Sequence, residues 1–307
     1  MLKTVVFWID EKNRENEALR AAILDEAEYI RDCGYGAEIS FDGKEITDKE
    51  MTLVITDKSE IALKLHEEGF FAVGMLHEGN RGTQFPQTKY VFDDIDQVDM
   101  DSFVKAYQRY AGEPWEILQT ERLIIRETTI EDIDEFYKLY ADPEMTLYME
   151  GLFDDPEDEK TYQRDYIEKV YSLMGFGVWT LQRKTDGAII GRAGYSARNG
   201  FEEIELGFLV GKKYQRQGYC MEACNAILDY GRDVLQFDKV QTLVKAENEV
   251  SIHICEKLGF NRINEVDVEE NIYGNRYNQG KKVEGNQTKY GKYVRMTMSF
   301  STSQQKN

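Results

Sequence analysis

At 307 residues and 41% hydrophobic composition, the chain is long enough for two compact domains and apolar enough to give each a core. A formal net charge of −19 repels phosphate backbones, which argues against nucleic-acid partners and mildly favours cationic ones. No window reaches the roughly 18–20 apolar residues of a membrane span, and Met1 to Asp10 reads as a strand rather than a signal peptide, so no membrane partner and a cytoplasmic location are expected.

In the first part of the chain, strand-like runs at 4–9, 37–41, 52–56, 71–75 and 90–92 alternate with helix-like stretches at 14–33, 58–68 and 99–110. Such alternation implies a parallel sheet covered on both faces, so an α/β, Rossmann-like domain is expected over 1–112. The helix at 14–33 carries Leu19, Ala22, Ile23, Ala27 and Ile30 at helical spacing, with Gly34 as its stop. Asp10 and Glu11 end the first strand and Asp57 ends the third, where the aspartates either cap the following helices or form a cation or phosphoacceptor site. These features resemble flavodoxin-type and receiver-like domains. A receiver would carry a lysine after its last strand, where Asp93 and Asp94 stand, and a haloacid-dehalogenase-like site would carry an aspartate where Lys12 stands. No chemistry is assigned to this half.

Ala111 to Trp115 breaks the apolar pattern, placing a linker at 113–120 and a second domain at 121–301, with 302–307 as a tail. Strand signals follow at 123–126, 177–181 and 188–194, the last two joined by a turn whose Asp186-Gly187 step suits a hairpin. A helix is expected from about Thr129 through Phe136, Leu139 and Tyr140 to Asp142-Pro143. The strand Glu203 to Val210 then feeds a turn, Tyr214 to Cys220, that opens a helix. A helix start presents unpaired N–H groups and a partial positive charge, so this turn can hold a diphosphate without a lysine. Asn248 to Phe260 reads as a second helix, capped by Asn248 and closed by Gly259. Cys33, Cys220, Cys224 and Cys255 have no paired-ligand spacing, so neither disulfides nor a metal site is expected.

The turn and the Asn248 helix together resemble the GNAT superfamily of N-acetyltransferases, and the opening Thr120-Glu121-Arg122-Leu123-Ile124-Ile125-Arg126 is similar to its ribosomal-protein N-terminal acetylating members. The resemblance implies an α+β mixed-sheet domain and acetyl-CoA as co-substrate. Its coenzyme pattern maps onto Gln215, Arg216, Gln217, Gly218, Tyr219 and Cys220, the last standing where glycine or alanine is usual. It also implies that the backbone of Phe208, Leu209 and Val210 pairs with the pantetheine arm, which Asn248 and Ser251 approach from the later helix.

Transfer to nitrogen needs a base for the amine and a proton for the departing thiolate. The resemblance puts Glu205 in the base position, with Glu203 on the same strand face as a substitute, although both could equally face water. The tyrosine that many members use as the acid is replaced by Cys255, whose thiol could donate the proton or be an inert packing residue; His253 lies on a different helix face. The acidic stretch Glu150 to Glu159 could draw a cationic acceptor or be a solvated helix start, and the loop at 271–292 could form a lid. The expected function is acetyl transfer from acetyl-CoA to an amine: a protein N-terminus, polyamine, aminoglycoside or small metabolite. The alternative is a degenerate coenzyme sensor without turnover.

Overall fold

The computed structural model describes residues 1–41, 46, 48–270, 276–277 and 289–300. The chain divides into two compact units, Met1–Trp115 and Glu116–Asn307.

In the first unit, β1 (Thr4–Trp8), α1 (Glu17–Asp32), β2 (Gly36–Ser40), β3 (Thr52–Thr56), α2 (Ser59–Glu67), β4 (Phe71–Met75), β5 (Val91–Phe92) and α3 (Met100–Ala111) follow one another. The five strands form a parallel sheet in the order β2-β1-β3-β4-β5, as the alternation of elements implied. Period-two alternation splits the strand side chains between two faces. Val5, Phe7, Ile55 and Met75 pack against Ile23 and Ile30 of α1 and Phe103 of α3, while Val54 and Ala72 pack against Leu65 of α2. Asn16 caps α1 by accepting the Leu19 N–H at 3.1 Å.

The aspartates at the strand ends do not both cap helices. Asp10 caps only a short turn, through the Lys12 N–H at 3.3 Å. Asp57 caps nothing: its carboxylate accepts from the Asp10 N–H at 2.8 Å and the Asn13 side chain at 2.6 Å, with His77 Nε2 at 3.4 Å. It ties together three loops at the carboxyl end of the sheet.

The second unit contains β6 (Glu116–Gln119), β7 (Leu123–Arg126), α4 (Asp132–Tyr140), α5 (Pro156–Tyr166), α6 (Ser172–Met174), β8 (Val178–Arg183), β9 (Ile189–Ser196), β10 (Ile204–Val210), α7 (Tyr219–Asp233), β11 (Lys239–Lys245), α8 (Glu249–Lys257), β12 (Asn261–Glu270) and β13 (Lys289–Ser299). They build an eight-stranded sheet ordered β12-β13-β11-β10-β9-β8-β7-β6, antiparallel except where β10 meets β11. Residues 116–119, expected in the linker, are instead the edge strand β6, paired with β7. Most of the lid expected at 271–292, and the tail, lie outside the described residues; 289–292 already belong to β13.

Helix α7 covers one face of this sheet, where the Tyr195 hydroxyl donates to the Ile227 carbonyl at 2.9 Å and Trp179 meets Tyr230 edge-on. Helices α4 and α5 lie on the other. Asp132, the first residue of α4, fixes that helix by accepting two bonds from Arg126, at 2.7 and 2.8 Å, and one from the Thr180 hydroxyl at 3.0 Å. Among the described residues, no helix is long and apolar enough to cross a membrane.

Candidate active site

The cleft begins where two parallel strands part. Strands β10 and β11 pair only at Ile204 with Val240 and Glu205 with Gln241, although both run on in the same direction. On its other edge β10 stays paired with β9 throughout, from Glu205 with Ser196 to Val210 with Gly191. The Gly211 N–H donates to the Ile190 carbonyl at 2.8 Å, so by alternation Leu206, Phe208 and Val210 turn their backbone groups toward the gap. An extended ligand with amide groups can complete the ladder there. Leu209 departs from expectation, because alternation turns its backbone groups toward β9. The Gln215 side chain donates to the Val210 carbonyl at 2.9 Å, which leaves Phe208 and the Val210 N–H as the open positions.

Two helix starts meet this open end, α7 after β10 and α8 after β11. Before α7 the chain takes left-handed backbone at Arg216 (φ 58°) and Gly218 (φ 87°), a concave arrangement suited to anions. Among the described residues, no acceptor meets the N–H groups of Arg216, Gln217, Gly218, Tyr219, Cys220 or Met221, and Gly218 offers no side chain to cap the helix. A diphosphate fits these donors. At the start of α8, Asn248 accepts the Ser251 N–H at 3.1 Å and keeps its own NH2 unpaired among the described residues. Cap and ligand contact are therefore compatible.

The loop is braced by a group that sequence reasoning passed over. Arg122 donates from Nη1 to the Gln217 carbonyl at 2.9 Å, pairs with Glu222 at 2.6 Å, and stacks on Tyr219 with its central carbon 4.3 Å from the ring centre. The signal was present in the opening strand motif; its partner Glu222 carried none.

The candidate catalytic groups separate clearly. Glu203 is bound by Lys239 at 2.8 Å and Arg295 at 2.5 Å, bonds that hold its carboxyl below the ordinary value and give it a structural task. Glu205 is held differently. Burial raises its pKa, Arg198 at 3.7 Å offsets part of the rise, and its Oε2 has no hydrogen-bond partner among the described residues. A carboxylate in that state is poised to accept a proton.

Cys255 disagrees with its expected role as acid. It is fully buried, and burial pushes its pKa up to about 12, with Thr242 as its polar neighbour. So weak an acid does not protonate a thiolate of ordinary pKa, about 8.5, downhill. His253 is exposed and lies 3.7 Å from Glu256. The acidic stretch is largely used locally: Asp155 caps α5, Glu157 pairs with Lys160 at 3.3 Å, and buried Glu159 accepts the Phe153 N–H.

The family model of the acetyltransferase (GNAT) domain matches residues 122–261. An uncharacterized protein, YkkB, of Bacillus subtilis (strain 168) is 31% identical over 150 residues, covering 46% of this chain and 83% of that protein. The chain belongs to the GNAT acetyltransferase family. The uncharacterized N-acetyltransferase p20 of Bacillus licheniformis is 29% identical over 153 residues, covering 48% of this chain and 83% of its own length. Spermidine N(1)-acetyltransferase of Escherichia coli (strain K12) is 39% identical over 56 residues, which cover 18% of this chain and 30% of that enzyme. As a GNAT acetyltransferase, the protein uses acetyl-CoA as co-substrate for acetylation of an amine.

Proposed function

We propose that the cleft between β10 and β11 transfers acetyl directly to a primary amine, with Glu205 as the base. The observation that carries this reading is the end of the β10–β11 ladder immediately after Glu205, which sets a buried carboxylate beside the unpaired backbone edge of Phe208 and Val210. Acetyl-CoA supplies an activated acyl group as its thioester. The open N–H groups from Arg216 to Met221 hold its diphosphate, with the Gln215 and Gln217 side chains fixing the loop from either side. Phe208, the Val210 N–H, Asn248 and Ser251 align the pantetheine arm. Glu205 takes the proton from the incoming ammonium, so that a neutral amine attacks. Cys255 packs α8 against β11 and stays protonated; the proton that the attacking nitrogen sheds as the amide forms passes through water at the open cleft to the leaving thiolate.

The acceptor is an amine of a small metabolite, polyamine, aminoglycoside or peptide end. Calorimetry with acetyl-CoA, followed by thiol-release assays over a panel of amines, tests the reading. Binding with turnover on at least one amine supports it, binding without any turnover favours a coenzyme sensor, and no binding defeats both.

A further inference from the structure

Arg192 is only partly satisfied by hydrogen bonds within the second unit. It sits on β9 opposite Thr180 of β8 and Leu209 of β10, on the sheet face covered by α4 and α5. Its guanidinium lies over the Phe136 ring, 4.6 Å from the centre, yet its buried Nε has no hydrogen-bond partner and no carboxylate lies within 4.0 Å among the described residues. Its charge is offset through space by Glu159 and by neighbouring tyrosine hydroxyls, without a direct ion pair to the guanidinium.

The surroundings are polar. Glu159, Tyr162, Gln163 and Tyr166 recur at helical spacing on one face of α5, and three of them act electrostatically on Arg192. The Gln163 Oε1 is also buried and unpaired among the described residues. Tyr140 of α4 turns its hydroxyl to the guanidinium. Glu205 stands on the same sheet face, four residues along β10 from Leu209, or about 13 Å at 3.3 Å per residue before either side chain extends.

We infer that Arg192 is the anion-recognising group of the acceptor cleft, and that the acceptor is an amine that also carries a carboxylate, as an amino acid does. This rests on the acetyltransferase reading above and narrows it. The carboxylate would take the guanidinium donors that the protein leaves open, while the amine reaches toward Glu205. A polyamine offers nothing to Arg192 and would place a second cation beside it, so the acceptor class departs from the cationic one that net charge favoured.

The test compares free amino acids with the amines that lack their carboxylates, in steady-state acetylation by the full-length protein. The expected kcat/KM is about 10- to 100-fold higher for the acids, and Arg192→Met should abolish that ratio while the KM for acetyl-CoA stays the same. Arg192→Lys, which keeps the charge and loses the planar fork, should retain part of the preference and guards against a misfolded Met variant. Thermal shift with the amino acids alone provides a readout without turnover: they should raise the melting temperature of the wild type and not of Arg192→Met. A wild-type preference for the decarboxylated amines, or a ratio unchanged by Arg192→Met, overturns the inference. Turnover on no amine at all defeats the enzymatic reading instead, and the thermal shift then still decides whether Arg192 binds carboxylates.

Discussion

Arg122 and Glu222 lie 100 residues apart in the chain and meet at 2.6 Å, with Thr120 and the Arg122 N–H adding further bonds to the same carboxylate. The pair joins the start of β7 to the first turn of α7 and so braces the turn at Arg216–Gly218. Burial raises the Glu222 pKa, but the bonds from Thr120 and Arg122 outweigh it and hold the carboxyl below its ordinary value. A depressed folded pKa contributes stability above the unfolded value that is lost as pH falls through the folded one. Glu222→Gln should therefore destabilise the protein by about 1–3 kcal/mol at neutral pH and by less in acid. The KM for acetyl-CoA should rise about tenfold, with a smaller change in kcat. Thermal denaturation at two pH values and coenzyme saturation curves check both.

Glu205 carries the opposite sign. Because burial raises its pKa, the folded protein holds that proton more tightly than the unfolded chain, and stability falls as pH rises through the interval between the two pKa values. Glu205→Gln should thus melt higher than the wild type at neutral pH while its kcat falls about 100-fold, in the range for loss of a general base. The wild-type kcat/KM should rise with pH through a step above the ordinary carboxylate range, and the variant should lack that step. A variant with an unchanged pH profile removes Glu205 from the mechanism.

Local patterns in the sequence located most of the frame and the turn before α7, because both depend on short-range signals. Leu19, Ile23, Ala27 and Ile30 spell out α1 by spacing alone, and Gly218 marks a turn that needs left-handed backbone. What stayed illegible depends on partners far away in the chain. Nothing near Glu222 announces Arg122, and nothing near Asp57 announces Asn13 and His77. Alternation placed Glu203 and Glu205 on one strand face, but only distant neighbours tell them apart: Lys239 and Arg295 bind Glu203 directly, while Arg198 stands 3.7 Å from Glu205. Cys255 shows the same limit: its position matched a family pattern, and its burial decided against the role.

The first unit has its own titrating group. Glu26 on α1 is 4% exposed, its Oε1 lacks a partner among the described residues, and burial with the nearby Asp96 charge raises its pKa to about 7. A raised carboxyl pKa means that stability is fully present below the ordinary value and is lost as pH climbs toward 7. Glu26→Gln should flatten that loss, gaining up to about 3 kcal/mol above neutral pH and almost nothing in mild acid. Melting curves of wild type and variant across this interval should converge at the acid end.

Cys255 separates packing from proton donation. Its thiol is buried between α8 and β11 with a pKa pushed up to about 12, so its replacement by alanine removes volume and a weak polar contact rather than an acid. Cys255→Ala should cost about 1–2 kcal/mol of stability through the small cavity it leaves. Its kcat and pH profile should stay within about twofold of the wild type, far from the 100-fold or greater loss that follows removal of a general acid. Cys255→Ser, which places a smaller hydroxyl beside Thr242, should destabilise no more than the alanine variant while leaving kcat equally unmoved. A large fall in kcat for both variants, with coenzyme binding intact by calorimetry, would return Cys255 to the role of acid.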